Sequence, residues 1–116
     1  MEKTIERLNE LAARKQRFTY DLRGNCQVYS GVVAGYRAAE ENEHFTDLEQ
    51  AILHAYEHDS VIAGWRNADG SWCYDSCRMF TDLPQAIRFA ARERRRSVLN
   101  LNRGEEVVVD PASLAA

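Results

Sequence analysis

Few side chains in this 116-residue chain have the type and spacing for chemistry, and His54, Glu57 and His58 come first. On a helix, two histidines four apart project one turn from each other, a spacing that holds a divalent metal while the intervening carboxylate serves as base. That H-x-x-E-H pattern would make a zinc peptidase only with a third ligand on another element and a large substrate cavity. A chain of this length has no room for either, and both histidines fall on the flank of an apolar helical stripe, where half-exposed polar residues belong. The reading is therefore no catalytic residue, no metal, no cofactor and no enzyme.

Cysteine chemistry is equally restrained. Cys73 and Cys77 stand four apart in an apparent strand, on one face but about 13 Å apart along it, too far for a mutual disulfide. They read as buried, inert thiols, with Cys26 free to meet either across a sheet. His44 sits in an acidic stretch with no evident partner and reads as a solvent-exposed loop residue.

Charge is the more informative signal. The formal net charge is only −3, yet segment 38–60 holds seven acids and no Lys or Arg, whereas Arg88, Arg92, Arg94, Arg95 and Arg96 crowd a later segment. On a helical wheel Arg88, Arg92, Arg95 and, more loosely, Arg96 point away from the apolar stripe. They could track a nucleic-acid backbone or simply complement a helix C-terminus.

These groups must be positioned by elements that recur along the chain. Val32-Val33-Ala34-Gly35-Tyr36-Arg37 returns as Val61-Ile62-Ala63-Gly64-Trp65-Arg66, and Phe45-Thr46-Asp47-Leu48 with Gln50-Ala51-Ile52 returns as Phe80-Thr81-Asp82-Leu83 with Gln85-Ala86-Ile87. The first block is β-branched and aromatic and predicts a strand. The second predicts a helix start, with Thr46 and Thr81 as caps and Glu49 completing a capping box with Thr46. Apolar residues then recur at helical spacing, and Asn67-Ala68-Asp69-Gly70 predicts a hairpin into a return strand. In that strand Trp72, Tyr74 and Ser76 share one face and Cys73, Asp75 and Cys77 the other.

With an opening helix over 4–15, the order predicts a single α+β domain: an N-terminal helix, two ββα repeats (17–60 and 61–96), a closing ββ hairpin (97–110) and a loose tail (111–116). Six strands are expected, in a mainly antiparallel sheet with helices on one face. No apolar run reaches the roughly 20 residues of a membrane span, so a cytoplasmic protein is expected.

Functionally, equivalent helix positions carry opposite character: Leu53 against Arg88, Glu57 against Arg92. This predicts a non-enzymatic protein-binding or regulatory module, contacting a partner or itself through Glu49, Leu53 and Glu57 on one helix and Arg88, Arg92 and Arg95 on the other. The alternatives are an inhibitor that mimics nucleic acid through acidic segment 38–60, or a nucleic-acid-associated protein using Arg88, Arg92, Arg95 and Arg96.

Overall fold

A computed structural model describes residues 1–110; the predicted tail at 111–116 lies outside the described residues. The described chain runs α1 (Glu2–Arg14), β1 (Arg17–Asp21), β2 (Cys26–Gln27), β3 (Val32–Gly35), α2 (Leu48–Glu57), β4 (Val61–Arg66), β5 (Trp72–Phe80), α3 (Leu83–Arg92), β6 (Ser97–Asn100) and β7 (Glu105–Val108). This is the α+β class read from the sequence, with seven strands where six were expected. All neighbours are antiparallel, in the order β2-β1-β4-β5-β3-β6-β7.

The topology is more specific than a string of hairpins. β3 and β4 both pair antiparallel to β5, so they run parallel to each other, and α2 carries the chain between them across β5. β5 and β6 are likewise parallel, with β3 between them and α3 as the crossover. This is the split βαβ arrangement, widened by β1 and β2 on one side and β7 on the other. It also separates the two similar strands: β3 leads straight into α2, whereas β4 reaches α3 only through β5.

The two crossover helices, α2 and α3, each begin at an aspartate. Asp47 caps α2, its Oδ1 accepting from the backbone N–H of Glu49 and Gln50 at 2.9 and 3.3 Å. Thr46, the expected cap, lies one residue outside, so the capping box with Glu49 does not form. Asp82 occupies the matching position of α3 without a side-chain bond, and Pro84 fills the first turn, where an amide has no intrahelical partner. Both helices end alike: the backbone N–H of Ser60 bonds the Ala55 carbonyl and that of Arg95 bonds the Ala90 carbonyl. Ser60 and Arg94 both take positive φ, 62° and 54°, near those ends.

All three helices cover one sheet face. Leu8 and Leu11 of α1 and Ala51, Ile52 and Ala55 of α2 pack with Phe18, Tyr20, Ile62 and Tyr74. Ala86, Phe89 and Ala90 of α3 pack with Val32, Ala34 and Val98. The strand period of two sends the intervening residues to the opposite face, where Val33, Val61 and Cys77 form a smaller cluster beside Ala63, Met79, Leu99 and Leu101. Residues 72–80 obey the alternation read from the sequence. No helix among the described residues is long and apolar enough to cross a membrane.

Candidate functional site

The helix-free face is concave. Thr19, Val33, Val61, Asp75 and Cys77 are buried there although no helix among the described residues lies over them. Thr19, Val33, Asp75 and Cys77 line a groove of about 590 Å³, whose walls include Lys15, Tyr29, His44, Leu101 and Glu106. That volume falls within the range of small-molecule sites.

A charged constellation of His44, Asp75 and Arg95 lines the groove. Asp75 on β5 accepts from Arg95 Nη2 at 2.6 Å, and Arg95 Nη1 donates to the Tyr36 carbonyl at 2.8 Å. The two residues are only 8% and 5% exposed. Burial opposes the guanidinium's charge, but the attraction and hydrogen bond of Asp75, with smaller contributions from Cys77 and Glu43, together outweigh it and raise the Arg95 pKa. Gly35 makes the space: a Cβ there would overlap Nη1 and stand 2.8 Å from Cζ.

Arg95 is the one predicted binding residue that the structure removes from its expected surface. A helical wheel does not apply at Arg95, because α3 stops at Arg92 and the positive-φ turn at Arg94 redirects the chain. Counting back from Val98 by the strand period then puts Arg95 on the side of Ser97 and Leu99, beneath the sheet. The remaining predicted residues, Glu49, Leu53, Glu57, Arg88 and Arg92, are all exposed on α2 and α3. Arg96 is exposed and 3.9 Å from Glu43, while Asp59 pairs with Arg78 at 3.0 Å. The proposed basic and acidic tracts are therefore each partly neutralised within the chain.

His44, read as a partnerless loop residue, instead completes the constellation. Its Nδ1 lies 3.0 Å from Asp75 Oδ1 and 3.1 Å from Arg95 Nη2. With a proton on Nδ1 the imidazole donates to Asp75; in the other tautomer Nδ1 accepts from Arg95 Nη2. The nearest charged atom to Nε2 is Glu43 Oε2 at 4.0 Å. The imidazole stands edge-on to Trp65, with ring centroids 4.7 Å apart. Trp65 is in turn the register partner of Arg17, an exposed cation with no ion pair among the described residues. Nearby, Lys15 Nζ donates to Gln27 Oε1 at 2.6 Å and lies 5.4 Å over the exposed Tyr29 ring. One sequence signal could have exposed this site: an aspartate between Cys73 and Cys77 on an otherwise apolar strand face requires a buried cation.

The other histidines form no comparable centre. His54 and His58 stack at 3.9 Å with an interplanar angle of 6°, against the Tyr36 ring. His58 Nδ1 bonds the His54 carbonyl at 2.7 Å. Among the described residues no three His, Cys, Asp or Glu side chains are grouped to hold a metal. Burial, then the neighbouring His58, lowers the His54 pKa, so the native state binds its proton less readily than the unfolded chain. Stability from this residue is complete above the unfolded value of about 6.5 and declines as pH falls through it. Urea titrations at pH 7.5 and 5.5 should show a smaller acid loss in His54→Leu than in the parent; an equal loss would assign the effect elsewhere.

The thiols remain free: Cys26 is exposed, Cys73 half-buried and Cys77 buried. Burial pushes the Cys77 thiol well above its ordinary pKa, which suppresses the nucleophilic thiolate. Tyr36, whose hydroxyl donates to Asp59, is raised to about 12 by burial and by that bond.

Comparison with known proteins gave no match among family models, curated proteins or solved structures.

Proposed function

We propose that this chain is a non-enzymatic binding module whose concave sheet face receives a small carboxylate with an apolar body. The observation that carries the reading is the groove itself, an apolar floor of Val33, Ala63, Trp65 and Leu99 with Arg17, which has no ion pair among the described residues, at its Trp65 end. Sites of this size combine apolar walls with a few placed polar groups, and Arg suits a carboxylate because its planar fork matches two oxygens. His44 Nε2 adds one polar atom able to hydrogen-bond the ligand. The Asp75–Arg95 pair stiffens the floor rather than contacting the anion, since its polar atoms are spent on one another. The same fact supports binding over catalysis, because no hydroxyl or thiol among the described residues bonds to His44.

The test is a titration of benzoate, hydroxybenzoate and octanoate, each beside its uncharged amide, followed by Trp65 fluorescence and by methyl NMR of Val33 and Leu99. Carboxylates should perturb these residues and amides should not, and Arg17→Ala should weaken binding about tenfold, the scale of one charge-assisted bond. Equal binding of acids and amides, or no response to any acid, overturns the reading.

A further inference from the structure

The opposite side of the molecule carries a second surface, independent of the groove. On α2 the outward residues are Glu49, Leu53 and Glu57, with Tyr56 on the flank; on α3 they are Gln85, Arg88 and Arg92. Leu53 and Tyr56 are 45% and 46% exposed, large values for apolar side chains that share a helix surface. At 1.5 Å per residue Glu49 and Glu57 are about 12 Å apart and bracket Leu53, while Arg88 and Arg92 are about 6 Å apart. Two arginines therefore fit between the two acids, each reaching one, with Leu53 against their aliphatic stems.

We infer that the helix layer is a self-association surface whose occupant is a second copy of this chain, α2 of one copy lying on α3 of the other. The fold fixes the geometry. Each crossover helix runs back along its sheet, and the strands that precede α2 and α3 are antiparallel, so the two helices run in opposite directions. A two-fold axis parallel to the helices and between them places α2 over the partner's α3, antiparallel, and repeats the contact once by symmetry. A two-fold axis across the helices would instead stack α2 on α2 and set acid against acid. Charge selects the first arrangement, in which Glu49 meets the partner's Arg92 and Glu57 the partner's Arg88. A molecular face about 30 Å across is large enough for the roughly 800 Å² per partner of an ordinary specific interface.

Sedimentation velocity at micromolar concentration and low ionic strength tests the inference on the full chain. The parent should sediment as a dimer that weakens with added salt. Glu49→Lys with Glu57→Lys, and separately Arg88→Glu with Arg92→Glu, should each weaken the dimer by at least about tenfold. Mixing the two variants should restore it, because one then presents only cations and the other only anions. All four positions are exposed, so folding is expected to survive, and circular dichroism of each variant verifies it. A monomeric parent, a dimer indifferent to both reversals, or a mixture that stays monomeric overturns the inference. Loss of groove binding by carboxylates has no bearing on the result, since the two surfaces lie on opposite sides of the sheet.

Discussion

Asp75→Ala is expected to destabilise the fold by about 3–5 kcal/mol, the usual effect of removing one partner from a buried ion pair. At the size of this domain that is a fall in Tm of roughly 10 to 20 °C. The reason is asymmetric. Arg95 keeps its bond to the Tyr36 carbonyl but is left with a desolvated charge whose other neighbour, His44, cannot neutralise it. The same substitution strands His44 Nδ1, which bonds Asp75 at 3.0 Å. The pair is not therefore a net source of stability: Asp75→Leu with Arg95→Met replaces both charges by apolar groups of similar volume and should return most of the loss. Thermal melts of the single and double variants decide between the accounts. If the double variant is as unstable as Asp75→Ala, the constellation stabilises the fold by something other than charge pairing.

That centre was only half legible in the sequence, for identifiable reasons. The strand face bearing Asp75 and Cys77 could be read because Trp72-Cys73-Tyr74-Asp75-Ser76-Cys77 alternates without interruption, and the Asp69-Gly70 turn fixes where it begins. The two long helices were equally visible, since Leu48, Ala51, Ile52 and Ala55, and Leu83, Ala86 and Ala90, repeat at helical spacing. The sequence does not place Arg95, because nothing in Arg92-Glu93-Arg94-Arg95-Arg96 announces a helix end. The usual glycine is absent, and Arg94 itself takes the left-handed conformation, which an arginine adopts only when the surrounding structure compels it. His44 is illegible in the sequence for a different reason. It lies outside the regular elements, and its position depends on the isolated bridge between Phe45 and Tyr74, a pairing across 29 residues of chain, which no local pattern encodes.

The topology shows the same limit. Resemblance between the residues of β3 and those of β4 suggested two equivalent strand-to-helix units, yet the sheet inserts β5 between these strands. Local pattern selects strand or helix from neighbouring residues. Which strands lie side by side depends on how both helices cover a single face, a global packing decision. The uncovered face follows from that decision: α1, α2 and α3 leave one side of seven strands bare, and the residues that decorate it come from distant parts of the chain.

Gly35→Ala offers the most direct probe of how that bare face is built. Alanine at an extended strand position is ordinarily favoured over glycine by about 0.5–1 kcal/mol. Here the added methyl would stand 2.8 Å from Arg95 Cζ and 3.1 Å from Nη2, against a guanidinium already held by the Tyr36 carbonyl and Asp75. If the side chain shifts within its cradle, the cost should be about 1–3 kcal/mol, as for other overpacked sites. If it is expelled, Asp75 loses its partner and the loss approaches the about 3–5 kcal/mol of a broken pair. A double-mutant cycle separates this from a backbone effect. In an Arg95→Ala background the three atoms nearest the methyl are gone, so Gly35→Ala should become neutral or slightly stabilising there, reversing its sign. A penalty that persists without Arg95 would mean that the glycine serves the strand and not the guanidinium. The cycle also bears on binding, because an expelled Arg95 would enter the groove as a free cation. Gly35→Ala should then bind benzoate more tightly than the parent while being less stable, a divergence that simple unfolding cannot produce.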